Sequence, residues 1–430
     1  MNLMAAIGQL TKKRAEDDEW WETGDGEEDL TSAVRHVMAE KGIVHPEIDD
    51  VVDALTAFEQ QVIGEQVIGE EESEAGNAYD RVSQARRIER ALSGLGALTD
   101  WLTCEGVTDL LVNPNGDVYL DRGYGLHAVC CHQFTPEQLR AMAVELATQC
   151  GARLDDASPF ADGVLTRLPR GVWGDALRIH VALSPPVDGG ACISVRVLHR
   201  DSFSLAGLRD VHMYSREVEQ VLEGLVAARR NILISGGTGT GKSTLLKALI
   251  DQCGLEQRLL IVEDTPELLP QHSNHVKLVT RRANADGSGE IAMRDLMKQA
   301  LRMRPDRVVI GEVRGAEIAD LLVALNTGHA GSAGTIHANS TEAVPGRLMA
   351  LGAMAGMSPA AVAQQVTDGV EVVLHLERTA VGRRLAQIST FSLEDGALHV
   401  RTVWDGEPCA GWEEFVRDVA CLPTMAKVPA

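Results

Sequence analysis

Between about residues 211 and 340 the chain alternates short, unbroken runs of large aliphatics with longer stretches whose apolar positions recur every three or four residues. Runs such as NILIS, LLIVE and RVVIG are buried strands by this pattern, and the stretches between them carry the helical period. The order predicted is a helix, a strand at 231–235, a glycine-rich loop and helix, a strand at 259–262, a helix over 290–303, a strand at 307–311, a helix over 316–326 and a strand at 333–336. That alternation specifies an α/β sheet whose ligand site sits at the carboxyl ends of the strands. Beyond it, helical segments surround GVEVVLHLER, and RLAQISTFSL reads as an edge strand.

Upstream, from about 76 to 200, the pattern changes. A helix is expected over 80–95, then two short strands, VTDLLVN and DVYLD, around the turn Asn113-Pro114-Asn115-Gly116. Thr135-Pro136 opens a helix running to Cys150. ADGVLTRLP, ALRIHVALSPP and ACISVRVL then alternate as strands of a half-exposed sheet, giving an α+β unit. The segment from Ser202 to Leu208 reads as a hinge into the α/β region. Three regions result: an acidic tether and helical extension at 1–75, an α+β domain at 76–203, and an α/β domain with added C-terminal elements at 204–430.

Composition narrows the class. The 430 residues are 45% hydrophobic but include only six Phe, six Trp and four Tyr, so the cores must be aliphatic. No apolar run approaches the ~20 residues needed to cross a bilayer, and the N-terminus lacks a signal-peptide layout. A cytoplasmic protein with no transmembrane segment is expected, held peripherally at the inner face of the cell membrane by partners. The eight cysteines form no C-x-x-C pair, and the Cys130-Cys131-His132 run is a poor chelator because adjacent side chains on a strand point apart. A formal charge of −22 argues against stable direct nucleic-acid binding, which needs a basic surface. Residues 16–29 hold nine carboxylates around Trp20 and Trp21, reading as a tether in which the tryptophans serve either partner docking or local packing.

The chemistry begins at Gly236. GGTGTGKS, residues 236–243, follows a strand and opens a helix, the context required of a phosphate-binding loop. Gly236, Gly237, Thr238, Gly239, Thr240 and Gly241 wrap backbone N–H groups around phosphates, and the helix through Thr244 adds its positive end. Lys242 supplies charge for the β and γ phosphates, and Ser243 an oxygen for Mg2+, so ATP and Mg2+ are the expected ligands. Glu263 and Glu312 end the strands LLIVED and RVVIGEVRG, where either could orient an attacking water. His329 and His337 lie in the small-residue segment 326–340 and suit phosphate sensing better than zinc, since no third ligand is close in sequence.

These blocks, in this order, resemble the traffic ATPases of type II and type IV secretion, conjugation and pilus assembly. They are GGTGTGKS, the acidic box VEDTPEL, VVIGEVRG and the histidine box TGHAGSAGTIHA. RRANADGSGEIAMRDLMKQALRMRPD is most similar to the Tad pilus branch of actinobacteria, and VTDLLVN, RLDDASPF, LRIHVALSPPVDGG and ISVRVL extend the likeness upstream, so that it covers about 78–375. The resemblance implies a RecA-like P-loop NTPase domain preceded by a smaller α+β domain, assembled as a homo-hexamer that drives an inner-membrane platform protein. It assigns Glu312 to the metal and water, Glu263 to water activation, and His337 to the γ-phosphate with His329 in support. By the same likeness Arg178 and Arg196 reach the nucleotide, with Arg302, Arg304 and Arg314 as interface candidates. One departure from most P-loop enzymes is Gly311, standing where an Mg2+-binding Asp is common.

The function expected is ATP hydrolysis powering pilus assembly or protein secretion. A conjugative or type IV secretion ATPase moving an effector or a DNA–protein substrate shares every hydrolytic residue. A catalytically quiet, nucleotide-gated ring is a third reading, opposed by intact Lys242, Ser243, Glu263 and Glu312.

Overall fold

The structure is a computed structural model. It describes residues 95–129, 134–199, 203–281, 288–379 and 382–422, the helix Ile48–Ile63, and isolated positions at 31, 33, 34, 37, 38, 41, 85, 88 and 283. Trp20 and Trp21, most of the expected helix at 80–95, the Cys130-Cys131-His132 run and Ser202 lie outside the described residues. The chain divides into two compact units, 1–198 and 199–430.

In the first unit, six strands form one sheet: β1 (Asp109–Val112), β2 (Val118–Asp121), β3 (Leu126–Val129), β4 (Phe160–Leu165), β5 (Ala176–Ala182) and β6 (Cys192–Leu198). Their order is β3-β2-β1-β6-β5-β4, with every neighbour antiparallel. Alternation drives the layering: Leu177, Ile179 and Val181 are buried with Ile193, Val195 and Val197, while Arg178, His180 and Arg196 point to the other face. The helix Pro136–Gln149 contributes Leu139, Ala143 and Leu146 to that core at helical spacing. Its start is a capping box, Thr135 Oγ1 accepting from Gln138 N (3.3 Å) and Gln138 Oε1 from Thr135 N (3.0 Å). β3 was not legible in the sequence because LHAV is exposed up to the half-buried Val129 and leaves no alternation to see.

In the second unit an eight-stranded sheet holds β7 (Ile232–Gly236), β8 (Leu259–Glu263), β9 (His275–Val279), β10 (Arg307–Val313), β11 (Ala333–His337), β12 (Val372–Thr379), β13 (Gly382–Glu394) and β14 (Ala397–Asp405). Its order is β14-β13-β12-β7-β11-β10-β8-β9. The six strands from β12 to β9 run parallel, and β13 and β14 add antiparallel. Alternate residues feed two cores on opposite faces. Ile232, Ile234, Leu259 and Ile261 pack with the helices Arg216–Ala227 and Lys242–Asp251. Leu233, Leu260, Val262, Val308 and Ile310 pack with Met293–Ala300, Ile318–Asn326, Ala343–Met354 and Pro359–Gly369. Burial on both faces is why these strands read as unbroken apolar runs. The fold is the expected α/β class, a RecA-like domain preceded by an α+β unit.

One element differs from the sequence expectation, and two were not assigned by it. GVEVVLHLER is a central strand, β12, hydrogen-bonded to β7 itself. RLAQISTFSL is not an edge: β13 lies between β12 and β14, because the following ALHVRTVWD pairs with it as the true edge. β9 closes the opposite edge half-buried throughout, and HVKLV alternates only from His275 to Leu278, the shortest run that marks a strand.

At the amino ends of the parallel strands one buried amide ties three of them together. Asn231 Oδ1 accepts from Gly331 N (3.0 Å) and Ser332 N (3.1 Å), and its Nδ2 donates to Gly369 O (2.8 Å) and Leu325 O (3.2 Å). Removing it leaves buried backbone groups unsatisfied, each costing about 1–3 kcal/mol. Asn231→Ala should therefore destabilise the second unit by about 2–4 kcal/mol in chemical denaturation; a loss under about 0.5 kcal/mol would mean water or local rearrangement replaces the amide.

Candidate functional site

The site gathers at the other end, where β7 stops at Gly236 and the chain loops into the helix Lys242–Asp251. A side chain at Gly236 would meet Leu376 O of β12 at 2.5 Å and Thr240 Oγ1 at 2.7 Å, so only glycine fits. Gly241, at φ 95°, caps the helix in a left-handed conformation. Within the loop Thr240 Oγ1 donates to Gly237 O (3.0 Å). Thr238 and Gly239 are exposed, whereas Ser243 and Thr244 are half-buried on the helix's first turn. Lys242 is buried and its Nζ donates to Gly236 O (3.0 Å) and Gly237 O (2.7 Å), with His337 Nε2 at 3.5 Å. Desolvation holds its pKa below the ordinary lysine value, opposed by the Glu312 carboxylate.

Register brings the other groups in. β11 pairs His337 with Gly236, which sets the imidazole beside the loop. On β10 the register shifts between Ile310 and Val313, an irregularity spanning Gly311-Glu312. Such irregularities re-aim side chains at the ends of strands. Glu312 Oε1 lies 2.8 Å from His337 Nε2, though without the alignment of a hydrogen bond. Glu312 Oε2 accepts from Arg314 Nε (2.8 Å) and lies 2.5 Å from Arg314 Nη2. Desolvation and the nearby Lys242 ammonium lower the His337 pKa, so the imidazole is neutral at pH 7 and its contact with Glu312 is not an ion pair. As a neutral ring, Nε2 can either donate toward Glu312 or accept from Lys242, one tautomer at a time.

Glu263, at the end of β8, is buried against Gly311, where an added Cβ would stand 2.9 Å from Glu263 Cγ. An aspartate at position 311 would displace it, which accounts for the Gly-Glu pair. Glu263 Oε1 accepts from Leu268 N (2.9 Å) and Glu267 N (3.1 Å), so it also holds the loop after β8. Its Oε2 is buried, with Lys277 Nζ 3.4 Å away. Burial raises the Glu263 pKa to about 7, against the pull of Lys277 and the Leu268 N–H. For a divalent cation the fit is with hard oxygen donors, the Ser243 hydroxyl and Glu312 Oε1, the latter buried without a hydrogen bond.

Other sequence candidates fall elsewhere. His329 precedes the amino end of β11, its Nδ1 3.3 Å from Ala324 O and its carbonyl accepting from Ser332 Oγ (2.6 Å). The length of the strand separates it from His337. Arg178 and Arg196 belong to the first unit, where β5 and β6 pair them directly, and Arg196 Nε donates to Asp109 Oδ1 (2.8 Å). Sequence reasoning missed the contribution of β12 and β13. His375 is buried beside the loop's base with Nδ1 2.9 Å from Ser235 Oγ, and Arg383 Nε donates to Gly239 O (2.8 Å). Both lie about 140 residues past the loop, so only the β7–β12 pairing could have pointed to them.

Residues 105–401 match the family described as Type II/IV secretion system protein. The Mycobacterium tuberculosis (strain H37Rv) protein Rv3659c, whose name assigns it to conjugal transfer, is 43% identical over 327 residues, covering 76% of this chain and 92% of that one. The conjugal transfer protein TrbB of Rhizobium radiobacter is 32% identical, covering 66% of this chain and 83% of that one. Among solved structures, the VirB11 ATPase of the Brucella suis type IV secretion system is 25% identical, covering 69% of this chain and 95% of that one, with a TM-score of 0.35. The pilus retraction motor PilT with bound ADP is 18% identical, covering 75% of this chain and 84% of that one, with a TM-score of 0.49.

The raised pKa of Glu263 has a measurable consequence. A carboxyl titrating near 7 when folded, against 4.5 ordinarily, contributes stability that is full below pH 4.5 and lost as pH rises through 7. Glu263→Gln keeps an acceptor oxygen and carries no such loss. It should gain on wild type by up to about 2–3 kcal/mol between about pH 5 and 8; a difference constant across that range would show that Glu263 is not buried as described.

Proposed function

This chain belongs to the type II/IV secretion system protein family, and we propose that it is an ATPase whose hydrolysis drives a secretion or pilus machine. The observation that carries the reading is the convergence of Lys242, Glu312 and His337 at the carboxyl ends of β7, β10 and β11, with His337 Nε2 3.5 Å from Lys242 Nζ and 2.8 Å from Glu312 Oε1. The backbone N–H groups of 236–241 and the start of the helix would bind the phosphates, with Lys242 leaving the loop carbonyls for the β and γ oxygens. Ser243 and Glu312 would hold Mg2+, which would supply positive charge to offset that of the phosphates. Glu312 and Glu263 orient the water, and Glu263, titrating near neutrality, suits acceptance of its proton. His337, neutral and adjacent to both Lys242 and Glu312, reports on the γ-phosphate by exchanging one partner for the other. By the family resemblance Arg178 and Arg196 would add positive charge to a bound nucleotide, so that ATP contacts the protein's states differently.

The family resemblance supports a homo-hexamer acting peripherally at the inner face of the membrane. No helix among the described residues is long and apolar enough to cross a bilayer; by the same resemblance an inner-membrane platform protein is the partner. Pilus assembly or protein secretion is the reading from the Tad-like blocks. Conjugal transfer is the second, favoured by the names of the 43% and 32% identical relatives. Co-purification from native membranes separates them: a pilus platform protein supports the first, a conjugation-channel component the second.

Two variants test the hydrolytic core. Lys242→Ala should lower Mg2+-dependent ATP turnover by at least about a hundredfold, the scale of losing a group that stabilises transition-state charge; unchanged turnover would remove the site assignment. Glu312→Gln should bind ATP normally while turnover stalls, as followed by nucleotide binding and phosphate release on the same preparation. Loss of binding with hydrolysis intact would contradict its role.

A further inference from the structure

The strand pair at the C-terminal side of the phosphate loop carries an arrangement that the hydrolytic scheme does not use. Where β12 and β13 close at Thr379↔Gly382, the next rung pairs Arg378 directly with Arg383, and the one after pairs Glu377 with Arg384. Successive rungs face opposite sides of the ladder. One side therefore shows an ordinary acid–base pair, Arg384 Nη2 donating to Glu377 Oε2 at 3.1 Å. The other carries two arginines at directly opposed positions. Like charges directly opposite one another do not stabilise an antiparallel pair, so cross-strand pairing does not explain the choice of residues at this rung.

Its direction does. Arg383 Nε donates to Gly239 O at 2.8 Å, and Arg383 Cδ would lie 3.4 Å from a Cβ placed on Gly241. Arg378 Nη1 would lie 3.8 Å from a Cβ placed on Gly239. The like-charged rung is thus turned onto the exposed outer turn of the phosphate loop. The peptide joining Gly239 to Thr240 is planar, and in the trans form its C=O and N–H point in opposite directions. A guanidinium that holds Gly239 O toward the hairpin therefore holds Thr240 N–H away from it, in the stretch of loop whose N–H groups cradle the α and β phosphates.

We infer that Arg383 is a positioning residue for nucleotide binding, fixing the Gly239–Thr240 peptide so that the Thr240 N–H is presented to a polyphosphate, with Arg378 adding positive charge at the same edge. This rests on the nucleotide reading of the phosphate loop and adds to it a C-terminal contact by which the β12–β13 ladder controls the loop. Since the oriented group serves the α and β phosphates, ADP and ATP depend on it alike, while the γ-phosphate chemistry at Lys242, Glu312 and His337 does not.

The test measures ADP and ATP binding and steady-state turnover of the full chain as wild type, Arg383→Gln, Arg383→Lys and Arg384→Gln. Arg383→Gln should weaken ADP and ATP equally, by roughly tenfold, the scale of one hydrogen bond to a charged group. The loss should appear in KM, with kcat at saturating ATP within about twofold of wild type. Arg383→Lys should recover part of the affinity, and it carries the test should Arg383→Gln fail to fold. Arg384→Gln, which removes the same charge from the opposite side of the ladder, should bind as wild type does. A wild type that binds neither nucleotide would sink the nucleotide reading and this inference together. Wild-type binding matched by Arg383→Gln, a loss confined to ATP, or an equal loss in Arg384→Gln would each overturn the inference while leaving that reading intact.

Discussion

A buried ammonium organises the carboxyl end of the large sheet. Lys242 is 8% exposed, and taking a charge that far from water is tolerable only if its donors are partnered. Two of them go to Gly236 O and Gly237 O, and His337 Nε2 stands 3.5 Å away. The loop carbonyls, the last residue of β11 and, beyond His337, the Glu312 carboxylate are consequently one connected set. Any polyanion that draws Lys242 toward itself must break those loop contacts and free His337 to turn to Glu312. On the proposed reading, binding and the state of the strand-end carboxylate would be coupled through these contacts without a long-range pathway.

That set depends on close backbone approach at two glycines. At Gly236 the β12 carbonyl of Leu376 occupies the space a side chain would need, so the base of the loop is built partly from a strand far downstream. At Gly311 the missing side chain makes room for Glu263, whose carboxyl is thereby forced into the interior and titrates near neutrality. The absence of an aspartate before Glu312 is thus a packing requirement of the neighbouring strand. The same carboxyl caps Glu267 N and Leu268 N, so its protonation state is tied to the loop following β8.

The two ends of the parallel sheet are built on different principles. The amino ends are closed by hydrogen bonding around Asn231, whose backbone N–H also donates to Glu371 Oε2 (2.8 Å), and by Arg307, which directs its guanidinium to Gln257, Gly331 O and Val226 O. The carboxyl ends keep contacts that are long, misaligned or exchangeable, such as Lys242 with His337 and Glu312 with His337. Rigidity at one end and exchangeable partners at the other are what a site that must reorganise around a ligand requires.

Local pattern was enough for much of this. The strand-loop-helix of 231–250, the acids at the ends of β8 and β10 and the histidine ending β11 were legible because burial on both faces leaves continuous apolar runs, and a phosphate loop has a fixed residue spacing. β3, β9 and the central place of β12 were not, since a four- or five-residue edge strand or a short run beside helices leaves too little period to stand out. His375, Arg378 and Arg383 were invisible as site residues for a stronger reason: strand order, which no local period encodes, sets β12 beside β7 and brings residues 140 positions apart into contact. The separation of His329 from His337 was likewise decided by the strand between them. The sequence determined which chemistry is present; the sheet order, through hydrogen-bonding register, decided which groups share an end.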